Sequence, residues 1–378
     1  YDVVCTNPPY MGGSGMNATL SDFIKKNYPD YKSDLFSAFV IKCTKMAKLE
    51  GYLGFLTPYV WMFIQSYEKM RNYIYNTRTI ETLIQFEYSA FEEATVPICT
   101  FVLKNSKVRK NGAYLRLTEF RGGMEVQRQK ALEAISNHKC GFYYESNAEN
   151  FSKIPGSPVA YWVSENFVRA FDGKKVGNYL NCRSGIMTGS DEFIKQWYEV
   201  NYNNIKFNCK TAKDMLDYKW FPLNSGGEFR KWYGNNSKIV NLQNDGAKIK
   251  ATVKNFRLRE KTFYFKRGIT WGRITSSKIA FRDVIQGSLF GDAGPIGFIE
   301  ENRNYLLGFL CSNVSLFCLQ ATNPTLNYQV RDIESEPLIL SVGHLPLVNK
   351  KVQENIDLSK ADWDSFETSW DFEGHPLV

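Results

Sequence analysis

The sequence predicts an α/β fold over its first 150 residues, followed by a second domain of different texture. Three observations carry this. Apolar runs of strand length alternate with stretches of helical periodicity up to about residue 104. Beyond about residue 151, short β-like runs dense in aromatics alternate with Gly and Asn turns, as in "KWFPLNSGGEFRKWYGNN" and "KTFYFKRGITWGRITSSKIAF". The basic excess also sits in that second part, where residues 155–340 hold 25 Lys and Arg against 17 Asp and Glu.

"YDVVC" reads as a short buried strand, which Pro8 and Pro9 must end. "MGGSGMN" is a loop without the G-x-G-x-x-G spacing of a dinucleotide fingerprint. Ser33 is placed to cap a helix in which Leu35, Phe36, Phe39, Val40, Cys43, Met46 and Ala47 recur at helical spacing, with Gly51 as its stop. "YLGFLT" is the next strand. Thr57-Pro58 then opens a helix expected to run to about Asn76. "TIETLIQF" and "VPICTFVLK" complete a strand–helix–strand–helix–strand series, the second half of a sheet flanked by helices. The Gly-, Ser-, Asn- and Pro-rich stretch at 140–160 marks the boundary, giving segments 1–150, 151–340 and 341–378. Within the middle segment "NYLLGFLCSNVSLFCLQA" has the pattern of one amphipathic helix, and the last segment is acidic.

Composition narrows the chemistry. The eight cysteines form no Cys-x-x-Cys pair and the three histidines stand far apart, so no metal site is expected and a reducing compartment is. So few histidines also disfavour a Ser-His or Cys-His nucleophile. No apolar stretch approaches the roughly 18 residues of a membrane span. Within 248–282 there are eleven basic residues against one acid, Glu260. A solvated face is the plainer reading of a charge run, but the asymmetry favours a polyanion partner.

Asn7-Pro8-Pro9-Tyr10 admits two readings, a strand-to-loop turn or a site for methylating an amino group. Exocyclic amines of adenine and cytosine are poor nucleophiles because the lone pair is delocalised into the ring. An enzyme assists by accepting both amine hydrogens, which favours a pyramidal nitrogen. The Asn7 side-chain oxygen and the Pro8 carbonyl supply two acceptors, and consecutive prolines hold the second one rigid. Tyr10 is suited to stack on a base taken out of a duplex. The methyl donor for such chemistry is S-adenosylmethionine. The preceding strand and the α/β context favour this reading over the turn.

The strings "YDVVCTNPPYMG", "KSDLFSAFVIKC", "GYLGFLTPYVWM" and "SAFEEATVPICTFVLKN" resemble, in order, motifs of adenine-N6 DNA methyltransferases. "GIMTGSDEFIKQWYEV", "GITWGRITSSKIAFR", "NPTLNYQVRDIESEPL" and "DWDSFETSWDF" resemble one branch, the PglX-type methyltransferases of BREX phage-defence systems, and more distantly the type IIG restriction–modification enzymes. This resemblance implies the C-terminal half of a Rossmann-like S-adenosylmethionine-dependent methyltransferase sheet, then a mixed α/β target recognition domain. It implies that Asn7, Pro8, Pro9 and Tyr10 form the catalytic motif, that Phe91 helps Tyr10 hold the flipped adenine, and that Phe39 lines the adenosine end of the donor. Core packing is the competing reading for Phe91 and Phe39. The family's donor-binding Gly-rich loop and following acidic residue lie upstream of this motif, so the chain is expected to be a fragment that is inactive alone.

For the middle segment the resemblance implies binding of double-stranded DNA, with Arg257, Arg259, Lys261, Lys266, Arg267, Arg273, Lys278 and Arg282 as candidate contacts. Trp271 and Tyr264 among them either stack on bases or belong to the core. Other phage-defence proteins are implied partners, with no membrane and no metal, in the bacterial cytoplasm. Two other functions compete: a protein glutamine-N5 methyltransferase, which has no need of the basic segment, and a non-catalytic DNA-recognition module.

Overall fold

Apolar alternation and β-branched runs build one sheet from the first 146 residues. The strands are Val3–Thr6 (β1), Tyr52–Pro58 (β2), Thr79–Gln85 (β3), Ile98–Lys104 (β4), Gly112–Arg116 (β5) and Tyr143–Ser146 (β6). Their order is β1-β2-β4-β3-β5-β6. The β1/β2 and β3/β5 pairs are parallel and the other three antiparallel. The computed structural model describes residues 1–88, 96–215, 218–275, 278–375 and 377. It divides into Tyr1–Asp172 with Ala321–Asn323, and Gly173–Gln320 with Pro324–Val378.

The four strands expected from the sequence are present as β1, β2, β3 and β4, but β1 is not buried as expected: it lies at the edge of the sheet, with Val3 63% exposed. The helices also depart from expectation. Ala18–Asn27 (α1) had no sequence signal assigned to it. Asn17 caps it, accepting from the Leu20 amide at 2.9 Å. Leu35–Met46 (α2) is capped by Asp34 and not by Ser33, whose hydroxyl instead donates to Ser66 O. It stops at Ala47, short of Gly51, because Asn105 Nδ2 lies 3.0–3.1 Å from the carbonyls of Thr44, Ala47 and Lys48. Gly51 serves close packing: a Cβ there would sit 2.8 Å from Asp2 O.

The helix expected from Thr57 is two 3-10 turns, Tyr59–Met62 and Gln65–Tyr67, and only Glu68–Thr77 (α3) is α-helical. Thr57 and Pro58 remain in β2, opposite Cys99 and Ile98. The Arg71 guanidinium explains the break. It is buried and donates to Trp61 O (2.6 Å), Ile64 O (2.8 Å) and Gly156 O (2.7 Å), satisfying turn carbonyls that an unbroken helix would pair internally. Gly123–Ser136 (α4) is a further helix that the sequence reading did not anticipate.

The chain after residue 150 does not leave this unit at once. Phe151, Val159 and Tyr161 are buried in the same core as Phe55, Trp61, Leu83 and Phe101. Tyr161 Oη donates to Gln85 Oε1 at 3.0 Å, and the Val159 amide to Met62 O at 2.9 Å. The division therefore falls at Asp172/Gly173, after a Pro- and Gly-containing stretch that composition alone marks as linker.

Among the described residues the second unit holds eight strands: Asn181–Arg183 (β7), Ile194–Gln196 (β8), Trp220–Asn224 (β9), Lys238–Asn241 (β10), Gly268–Trp271 (β11), Phe281–Val284 (β12), Leu289–Phe290 (β13) and Ile296–Phe298 (β14). They form two four-stranded sheets, β13-β9-β10-β8 and β12-β11-β14-β7. The single helix expected over 304–321 is two, Arg303–Leu310 and Asn313–Thr322, bent by 62°. Ser312 breaks it, its hydroxyl accepting from the Ser315 amide at the start of the second helix. No single helix among the described residues is long and apolar enough to cross a membrane; the bent pair passes by length and composition. Its Leu306, Leu307, Leu310 and Leu319 lie in the core of this unit, as do Val352 and Ile356 of Leu345–Asp364, so the acidic segment 341–378 packs here.

Replacing Arg71 by Met should lower stability by about 3 kcal/mol, because the Trp61 and Gly156 carbonyls lose the guanidinium and that of Ile64 is left with the Tyr67 amide. Chemical denaturation measures this, and a change below about 0.5 kcal/mol would refute the structural role.

Candidate active site and nucleic-acid surface

β1 ends at Thr6, paired with Phe55 of the parallel strand β2. Asn7 thus emerges from the carboxyl end of a parallel strand pair, where α/β sheets carry their ligand sites. Asn7 is exposed, and among the described residues no hydrogen bond engages its side chain. Pro8 is buried, Pro9 exposed, and both peptide bonds are trans.

Tyr10 is held on two sides. Its hydroxyl donates to Leu56 O at 3.2 Å, and its ring meets Phe36 edge-on, 6.5 Å between centroids. Burial, with Cys99 adding to it, raises the phenol above its ordinary pKa, so the hydroxyl stays protonated as a donor. The residue keeps 38% of its surface exposed, so a second ring can lie against it.

The chain after the motif is tied down by a residue that sequence reasoning passed over. Asp34 Oδ1 accepts from the Met11 amide at 3.0 Å and from the Phe36 amide at 3.2 Å. One carboxylate therefore caps α2 and fixes the exit of the tetrapeptide. The Leu35 amide donates to Met11 O at 2.9 Å, and Gly12 bridges to Asp34. The sequence reading placed the cap at Ser33; its neighbour Asp34 is the residue that holds it.

Phe39 projects from α2 with 38% of its surface exposed, in contrast to the fully buried Phe36. It is not a core residue and its ring is available to a ligand. Phe91 lies outside the described residues.

The eight basic candidates separate by environment. Lys266 and Lys278 are exposed. Arg257 pairs with Asp292 at 2.5 Å, and Arg273 pairs with the same carboxylate. Lys261 reaches Asp245 at 3.1 Å, and Arg267 reaches Asp283 at 3.3 Å. Arg259 is half-buried and donates from Nε to Gly185 O at 3.0 Å; burial and the neighbouring Arg257 lower its pKa. Arg282 corrects the expectation outright. It is 1% exposed, donates to Gly226 O at 3.1 Å and Arg230 O at 3.4 Å, and burial brings its pKa down to about 10. A guanidinium so placed holds the loop at 226–230 and has no surface for a phosphate.

Trp271 and Tyr264 are likewise buried. Trp271 donates from Nε1 to Tyr328 O at 3.1 Å, so both are core and not stacking platforms. All eight cysteines are free thiols, and no cluster among the described residues has the ligands for a metal ion.

The family model of the Eco57I restriction-modification methylase matches residues 1–91. Across its whole length the chain is 34% identical to the adenine-specific methyltransferase PglX of Lacticaseibacillus casei (strain Zhang), of which it spans 32%. It is 33% identical to the adenine-specific methyltransferase BrxX of Escherichia coli O9:H4 (strain HS), of which it spans 31%. The chain therefore spans about a third of the length of these curated relatives. The structure of the type IIL restriction-modification enzyme MmeI in complex with DNA superposes on 98% of this chain and 50% of its own, with a TM-score of 0.62 at 11% identity. The type ISP restriction-modification enzyme LlaBIII bound to DNA superposes on 94% of this chain and 29% of its own, with a TM-score of 0.53 at 12% identity. At such identities the likeness is one of fold.

Two substitutions test the geometry. Asp34→Ala should cost about 1–2 kcal/mol of stability while Asp34→Asn, which keeps Oδ1, stays close to wild type; equal losses in thermal unfolding would refute the cap. Arg282→Ala should cost about 2–4 kcal/mol, against less than about 0.5 for Lys266→Ala or Lys278→Ala. Comparable denaturation midpoints for all three would contradict the buried placement of Arg282.

Proposed function

We propose that this chain, which is 33–34% identical over its whole length to PglX and BrxX, carries the base-accepting half of a DNA adenine-N6 methyltransferase site together with the domain that recognises the target. The observation that carries this reading is the placement of Asn7, exposed and unengaged at the carboxyl end of a parallel strand, beside a tyrosine ring fixed by Leu56 O and Phe36.

In this reading an adenine withdrawn from the duplex lies against Tyr10. Asn7 Oδ1 and the Pro8 carbonyl accept the two hydrogens of its N6 amine. Each hydrogen bond draws density toward nitrogen and favours the pyramidal form, whose lone pair is available for attack. The Pro8–Pro9 pair allows that carbonyl little motion, so the acceptor is preorganised and the gain is realised as charge develops on nitrogen. The amine becomes acidic once alkylated, and its surplus proton passes to solvent without a strong base in the chain.

The half-exposed ring of Phe39 fits a role against the adenine ring of S-adenosylmethionine, which when bound supplies an electrophilic methyl group. The Gly-rich loop that the resemblance implies for the rest of that donor is not among these 378 residues. The exposed cations Arg257, Lys261, Lys266, Arg267 and Lys278 serve as phosphate contacts, giving affinity that falls with salt. Such a protein works on chromosomal and phage DNA, in the bacterial cytoplasm and beside other defence proteins.

In the full-length protein, Asn7→Ala should abolish adenine methylation while leaving duplex binding within about twofold of wild type, since Asn7 carries no charge to pair with a phosphate. Restriction-protection assays and anisotropy titrations read the two effects separately. Undiminished methylation by that variant would exclude the amine-acceptor mechanism.

A further inference from the structure

Three loops of the second unit converge at the end of β11, and each holds a large apolar side chain in solvent. Phe229 is 53% exposed, Ile274 65% and Leu326 53%. Their backbones are pinned together. The Thr275 amide donates to Leu326 O at 2.9 Å, the Tyr328 amide to Arg273 O at 2.7 Å, and Ile274 pairs with Asn327 in an antiparallel bridge. The buried Trp271 fastens the same two loops through its bond to Tyr328 O. Phe229, Thr275 and Lys278 line one small cavity, which brings the third loop alongside. The apolar tip is thus a built feature with a rigid base.

Its surroundings say what it meets. Lys278 is exposed, and Arg273, the residue before Ile274, is half-exposed and already paired with Asp292. An aliphatic tip beside an exposed cation, Lys278, suits a polyanion that can open to an apolar interior, and double-stranded DNA is such a polyanion: its phosphates attract the cation and its stacked bases accept an apolar wedge. Isoleucine and leucine offer no hydrogen bonds to base edges, so they read no sequence; what they can do is occupy volume.

We propose that Ile274 and Leu326 form a wedge that enters the base stack and fills the gap left when a base is withdrawn. This rests on the DNA-methylation reading, and gives base withdrawal a mechanical partner within this chain. The cost of unstacking falls when the gap already exists, so a wedge protein prefers a duplex that lacks one base.

The test compares binding of the full-length protein to a duplex with one abasic site and to the intact duplex of the same sequence, by fluorescence anisotropy at several salt concentrations. Wild type should bind the abasic duplex about tenfold more tightly. The double variant Ile274→Ser, Leu326→Ser should lose that preference yet keep its affinity and salt slope on the intact duplex, and Ile274→Leu should retain the preference. Both positions are exposed, so the unfolding midpoint of the double variant should match wild type. No abasic preference in wild type, or one that survives the double substitution, overturns the wedge alone. Failure of wild type to bind either duplex overturns the wedge and the DNA reading together.

Discussion

Two consecutive prolines leave positions 8 and 9 without a backbone donor, and the local geometry of the motif follows from that constraint. The ladder between β1 and β2 must stop at Thr6, although β2 runs on to Pro58. The next carbonyl of β2, that of Leu56, then accepts from a side chain, the Tyr10 hydroxyl. The aromatic ring is consequently positioned by the same strand that would otherwise have continued pairing. Phe36 supports the ring from α2, and Asp34 ties that helix back to Met11. A sterically enforced strand end is thus converted into a side-chain arrangement.

Much of the first unit was legible because its signals are local. "DVV", "YLGFLT", "TIETLIQF" and "VPICTFVLK" are dense in residues that suit a buried pleat, and all four are strands. The helix from Thr57 was misread because its apparent N-terminal proline belongs to β2, and because Arg71 and Gly156 are far apart in sequence. No window of residues reveals that a guanidinium will meet the Trp61 and Ile64 carbonyls. The stop of α2 has the same origin, since Asn105 arrives from the end of β4. Non-local capping of this kind is invisible to propensity.

The tetrapeptide is read as chemistry from its own four residues, whereas the basic segment is legible only in sum. Counting within 248–282 found one acid, but the fold interleaves Asp245, Asp283 and Asp292 from just outside that window. Asp292 lies between Arg257 and Arg273, and the buried Asp283 between Arg267 and Arg303. The surface is therefore less positive than the sequence suggests, and Arg282 contributes to the loop beneath it instead. Linear charge density measures composition, and neighbours across a sheet decide how much of it reaches solvent.

The two amine acceptors proposed for the motif differ in how they can be altered through descent. One is a side chain, and an amino-acid substitution at position 7 replaces it. The other is main chain, and every residue that could stand at position 8 carries the same carbonyl. Selection on that second acceptor can act only through its setting: the rigidity of the proline pair, the burial of Pro8 and the loop anchored by Asp34. Loss-of-function alleles should accordingly concentrate at Asn7, while drift around the second acceptor would slow the chemistry by degrees.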